Sequence, residues 1–172
     1  MNMKKLFYYI SVAALVLFAA SCEKEEIGGT AVEALSGEWV VYIDGVDASG
    51  NVTEEDPFGV GASMVWTYNT SENKDNEMFV DDQGWFWEYQ VKVNCDINAM
   101  TFSVSGAEDY YNGISIDITD GKVVEKGTVT PSGTPADAIE FCIVFSDDDY
   151  VGEYWDKLWV HGYRYTGLAA DE

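Results

Sequence analysis

Positive charge is scarce in these 172 residues: nine lysines and arginines stand against 31 aspartates and glutamates, a formal net charge of −22. That balance excludes a nucleic-acid partner, since phosphate binding requires a basic footprint. It also disfavours broad contact with anionic lipid head groups. Histidine occurs once, at His161, and the three cysteines, Cys22, Cys95 and Cys142, are far apart. A usual zinc site needs several such ligands close together, so no metal and no cofactor is expected. The longest apolar run, residues 6–20, is 15 residues, short of the ~20 that carry a helix across a bilayer. Beyond it no 3.6-residue periodicity appears, which excludes an amphipathic helical bundle. Aromatics make up 15% of the chain, far too many for an acidic disordered one.

The N-terminus has three zones. Lys4 and Lys5 precede the apolar run, and small residues, Ala19-Ala20-Ser21, precede Cys22 and an acidic Glu23-Lys24-Glu25-Glu26. A positive start, an apolar middle and a small-residue break form a secretory signal. Ala19-Ala20-Ser21-Cys22 resembles the bacterial lipobox, whose cysteine thiol receives a diacylglycerol and becomes the new N-terminus. It departs from the common pattern at Ala19, where an aliphatic residue such as leucine is usual. The resemblance implies a signal peptide over 1–21, membrane attachment through lipid on Cys22, and an outer-membrane lipoprotein facing the periplasm or the cell surface. Stable anchoring takes two acyl chains or more, which a lipidated and acylated cysteine supplies. Residues 22–34, with Gly28-Gly29, read as a flexible tether. Lys4 and Lys5 are the only charges before Cys22, so the mature chain keeps 7 bases against 31 acids.

Period-two alternation dominates the rest. Strands are expected over 37–43, 62–70, 77–80, 85–95, 101–104, 114–119, 122–129, 138–146 and 158–166. Asp81-Asp82-Gln83-Gly84 and Asp120-Gly121 read as hairpin turns, and 147–156 as an acidic loop. Two large-residue faces stand out, Met64, Trp66 and Tyr68, then Trp85, Trp87 and Tyr89. Cys95 and Cys142 fall on opposite pleat faces, which favours two buried free thiols over a bridge. Eight or nine short strands must pack as a sandwich or close as a barrel, because exposed edges invite aggregation. The expected fold is all-β, an antiparallel up-and-down barrel of about eight strands over 35–168.

Gly37-Glu38-Trp39 on the first strand and Arg164 on the last resemble the closure of lipocalin-like (calycin) barrels, where an arginine packs across the tryptophan. A guanidinium stacks well on an indole face, and the first and last strands meet only in a closed barrel. With Leu35-Ser36-Gly37-Glu38-Trp39, Phe79-Val80-Asp81-Asp82-Gln83-Gly84-Trp85-Phe86-Trp87 and His161-Gly162-Tyr163-Arg164-Tyr165-Thr166-Gly167, the chain resembles the Bacteroidetes lipoproteins described as lipid-binding putative hydrolases. That resemblance implies a calycin-like barrel and an apolar ligand, and brings no catalytic residues with it.

The leading expectation is a lipid-anchored barrel binding a small apolar or lipid-like molecule, with Met64, Trp66, Tyr68, Trp85, Trp87 and Tyr89 as candidate ligand contacts. No protein partner is expected. A surface interaction or glycan-capture module is the alternative, since Trp and Tyr platforms also stack on sugars. An ester hydrolase is a third. It must use His161, yet no Gly-x-Ser-x-Gly elbow accompanies it. The acids of 54–56 and 147–149, and Asp44-Gly45-Val46-Asp47, read as solvated loop acids rather than calcium ligands.

Overall fold

The computed structural model describes residues 29–171. The signal peptide, Cys22 and the first part of the tether lie outside the described residues. Among the described residues nine strands follow a 3-10 turn, Glu33–Leu35. They are β1 (Gly37–Val46), β2 (Val52–Glu55), β3 (Ser63–Asn69), β4 (Glu77–Asp81), β5 (Gln90–Asp96), β6 (Thr101–Glu108), β7 (Ser115–Val129), β8 (Pro135–Phe145) and β9 (Lys157–Arg164). All pairings are antiparallel; β1 and β3 to β9 neighbour one another in chain order, β1 also pairs with β9, and β2 pairs with β1. Eight strands thus close a ring, as the alternation predicts. The ninth, β2, was not expected: it is a short exposed ribbon folded back on the end of β1. Among the described residues no helix is long and apolar enough to cross a membrane.

The interior is filled by alternate residues. Trp39, Val41 and Ile43 of β1, Val65, Met78, Val80, Val91, Val93, Ile116, Ile118, Ile139, Phe141, Ile143, Leu158 and Val160 are buried in one cluster. This is packed core, each side chain worth about 1.5–3 kcal/mol of transfer free energy. Val32 and Leu35 join it fully buried, so the folded part begins inside the stretch read as tether.

One end of the barrel is sealed by strand residues. Arg164 lies over the Trp39 ring at 4.3 Å. Its Nη1 donates to Ser36 O at 2.7 Å and its Nε to Asp137 at 3.0 Å. Trp39 Nε1 donates to Thr67 Oγ1, whose hydroxyl donates to Leu35 O. The glycine of Gly-x-Trp has a steric reason. A Cβ on Gly37 would stand 2.2 Å from Arg164 Nη1. Gly162 is tighter still, since its Cβ would meet Val40 O at 1.9 Å.

One hairpin expectation is corrected, and at the other, the β4–β5 connection, the following strand starts later than expected. Asp120-Gly121 is no turn: β7 runs straight through it, paired to β6 on one side and β8 on the other. The pair forms a bulge, with register shifting between Thr119 and Lys122 and Asp120 at φ 59°. Bulge and turn make the same demand for positive φ and small side chains, so Asp-Gly fits both. Gly121 is needed because a Cβ there would meet Phe102 O at 2.4 Å. The strand expected over 85–95 begins only at Gln90; residues 82–89 form a loop whose cause lies in Asp82.

Candidate functional site

Asp82 is fully buried. Its two carboxylate oxygens accept the backbone N–H groups of Gly84, Phe86, Trp87, Glu88 and Tyr89 at 2.7–3.0 Å. These are the donors a strand would have sent to its neighbours, so the carboxylate replaces the ladder with a compact loop. Gln83, Gly84 and Glu88 take positive φ within it. The loop breaks the expected alternation of Trp85, Trp87 and Tyr89 and sends them three ways. Trp85 points to the outer surface and is 56% exposed. Trp87 stacks on Phe145 at 4.6 Å, with the rings 3° from parallel. Tyr89 is buried beneath, against Phe145.

Trp87 belongs to an aromatic plug across the barrel mouth. Phe58, from the loop after β2, touches Phe86, Trp87 and Trp155 edge-on at 5.1–5.5 Å. Trp155 comes from the loop between β8 and β9 and donates its Nε1 to Asp148. Three separate loops therefore close the mouth over an interior already full of side chains.

Met64, Trp66 and Tyr68 do share a face of β3, but it is the outer one; Ser63, Val65 and Thr67 are the buried alternates. Met64 and Trp66 join Val40, Ala62, Ser63, Tyr165 and the exposed Trp85 around an apolar groove of about 460 Å³. Tyr68 stands apart. Its hydroxyl donates to Asp81 at 2.6 Å, alongside Gln90 Nε2 and the Tyr111 hydroxyl on the same carboxylate. Burial, reinforced by Asp81, pushes the Tyr68 phenol up, and Tyr111 rises to about 12 for the same two reasons. Both stay neutral donors to Asp81, tying β3 and the loop after β6 to the end of β4. The six candidate contacts thus divide among the groove (Met64, Trp66, Trp85), the plug and the core beneath it (Trp87, Tyr89), and a polar hub (Tyr68).

His161 faces outward on β9. Its Nε2 lies 3.0 Å from Asp44, and its ring stacks on Trp159 at 3.9 Å. A carboxylate-held imidazole is two thirds of a hydrolytic triad. The groove beside it is lined by Tyr42, Thr128, Thr130 and Tyr163 and the adjoining depression by Ser49 and Cys142, but among the described residues the imidazole is hydrogen-bonded to Asp44 and to none of these. The loop acids have structural work. Asp56 accepts the N–H groups of Val60 and Gly61, Asp47 those of Ser49 and Asn51, and Asp148 that of Tyr150. Among the described residues no group of three or more acids, histidines or cysteines converges as a metal site. Cys95 and Cys142 are free, the first half-buried and the second buried. Cys95 pairs with the core residue Phe102 and Cys142 with outward Trp159, on opposite faces of the wall.

Residues 24–169 match the family described as lipid-binding putative hydrolase, and the chain belongs to that family. It is thus a lipid-binding-family barrel. Among curated proteins none matches the sequence. A crystal structure from Bacteroides ovatus, described as of unknown function, aligns at TM-score 0.42 and 14% identity over 78% of this chain. The alignment spans 43% of that longer protein. At that level the likeness carries no argument.

Proposed function

We propose that this protein is a membrane-anchored lipoprotein that binds an apolar or lipid-like molecule in the outer groove formed by Val40, Met64, Trp66, Trp85 and Tyr165. The observation that carries the reading is Trp85. A large apolar side chain left in water forgoes roughly 25 cal/mol for each Å² it could bury. Trp85 is nevertheless held over an apolar groove by a loop pinned through Asp82. A fixed indole above a ready-made groove spares the ordering cost of binding, and the groove falls in the usual size range of small-molecule sites. The packed interior favours the outer wall over the barrel lumen.

The net charge adds a preference. A chain at −22 repels anions at low ionic strength, so a neutral acyl lipid fits better than a fatty-acid anion. Lipid on Cys22 would hold the domain at the outer membrane, facing the periplasm or the cell surface, with the acidic barrel kept off the head groups.

Titration with monodecanoylglycerol, followed by tryptophan fluorescence, tests the groove. Binding should be stronger than for decanoate at low salt and should be lost in Trp85→Ala. Equal binding by wild type and Trp85→Ala, or no binding at all, overturns the assignment. For the anchor, Cys22→Ser should move the protein from the membrane fraction to the soluble one. Retention in the membrane would refute lipid attachment at that residue.

A further inference from the structure

The outer face of β8 and β9 carries a second concavity, on a different part of the wall from the Trp85 groove. Two depressions, of about 560 and about 520 Å³, adjoin at Trp159 and Glu140, and together they are called the trough. Its floor is the outward alternation of β9, namely Lys157, Trp159, His161 and Tyr163. Six strand rises separate the first from the last, about 20 Å. One wall is built by a second irregularity of β7. Register shifts between Val124 and Thr128, and Lys126 takes φ 49°, so Gly127–Thr130 stands as a ridge beside the floor. Tyr42 of β1, 39% exposed, borders the opposite side.

We propose that this trough binds a neutral oligosaccharide. The match is chemical. A pyranose has a C–H face and a hydroxyl rim, and the trough has aromatic rings in its floor with hydroxyls and carboxylates at its edges. C–H groups carry slight positive charge and favour the negative face of an indole, here the Trp159 face that His161 does not cover. The rings are fixed before any ligand arrives. Trp159 stacks on His161 at 3.9 Å, and Asp44 holds the imidazole at 3.0 Å, which lowers the ordering cost of binding. Glu140, ion-paired with Lys122 at 2.8 Å, and Thr128 present acceptor and donor groups to sugar hydroxyls.

Other ligand classes fit less well. An acyl chain lying there would desolvate Glu140, His161 and Thr128 without replacing their hydrogen bonds. An anionic glycan meets a chain of net charge −22. The length of the trough selects an oligomer of several rings over a single sugar.

Cellohexaose, mannohexaose and maltohexaose, titrated into the purified protein by calorimetry, test the proposal. At least one should bind in the micromolar to millimolar range typical of shallow wet sites. Trp159→Ala should weaken it about tenfold or more. Tyr42→Ala changes an exposed side chain and spares the fold; it should weaken binding to a smaller extent. Trp85→Ala should leave saccharide binding intact, and Trp159→Ala should leave monodecanoylglycerol binding intact. The two sites can therefore fail separately. If none of the three hexasaccharides binds at millimolar concentration, or if neither Trp159→Ala nor Tyr42→Ala weakens binding, the proposal is overturned.

Discussion

The two ends of this barrel are closed by opposite means. At the Trp39 end the seal is polar and strand-borne: Arg164, Trp39, Thr67, Ser36 and Asp137 form a chain of directed bonds. At the mouth the seal is apolar and loop-borne: Phe58, Phe86, Trp87 and Trp155 meet edge to face, and their loops are shaped by Asp82 and Asp148. The first depends on the ring of strands being complete. The second depends on three loops that take no part in the strand pairing of the ring. Directed bonds between adjacent strands leave few alternative arrangements. Aromatic contacts between loops are individually about 0.5–1.5 kcal/mol and are readily exchanged.

Trp39→Ala should have the largest effect, about 3–5 kcal/mol for an emptied aromatic site in a core. It also strips Arg164 of its stacking surface and Thr67 of a donor. A chemical denaturation midpoint that barely moves would mean that the polar seal does not hold the ring. Asp82→Ala comes next. It leaves five backbone donors to find water, at about 1–3 kcal/mol for each one that remains buried. Hydrogen exchange should rise across 82–89 and at the plug while the Trp39 end stays protected. Uniform loss of protection would show that the two ends are one cooperative unit.

The smallest effect is acid sensitivity at the strand-borne end. The Thr166 hydroxyl and the Ser132 N–H hold the Asp171 carboxyl at about 2, and the Lys126 N–H and Arg164 hold Asp137 below its ordinary value. Carboxyls depressed by folding stabilise the fold above the unfolded value near 4, and that contribution is lost as pH falls toward about 2. Stability should therefore decline across that interval, and Asp171→Asn should flatten the decline. An unchanged profile in Asp171→Asn would remove that carboxyl from the acid response.

Much of the strand-borne end was legible in the sequence. Gly37, Trp39 and Arg164 lie in clean alternation, and alternation fixes which side chains face inward. The mouth was not legible, because Phe58, Phe86 and Trp155 lie in three unrelated loops that only the closed ring brings together. Asp81-Asp82-Gln83-Gly84 looks like a hairpin turn, and local pattern cannot show that one carboxylate will take five amides from the residues after it. Hence the alternation puts Trp85, Trp87 and Tyr89 on one strand face, although they stand at the surface, in the plug and in the core. The face of Met64, Trp66 and Tyr68 was grouped correctly, yet its direction was open. Period two assigns residues to a common face without saying which face meets the core. The trough along Trp159 and His161 gave no sequence signal, because one of its walls comes from a bulge in β7.

By itself the sequence determined an all-β chain, its closed antiparallel order, the residues that would seal one end, and the absence of a basic surface. These follow from periodicity, composition and nearest-neighbour sterics, which act within a few residues or are summed over the whole chain. The tertiary structure alone decided that the lumen is packed, that the large side chains of β3 face outward, and that Asp82 turns an expected strand into a loop presenting Trp85. Each of those outcomes is a competition for one buried volume or one set of amide donors, and its winner is fixed only when distant strands close on one another.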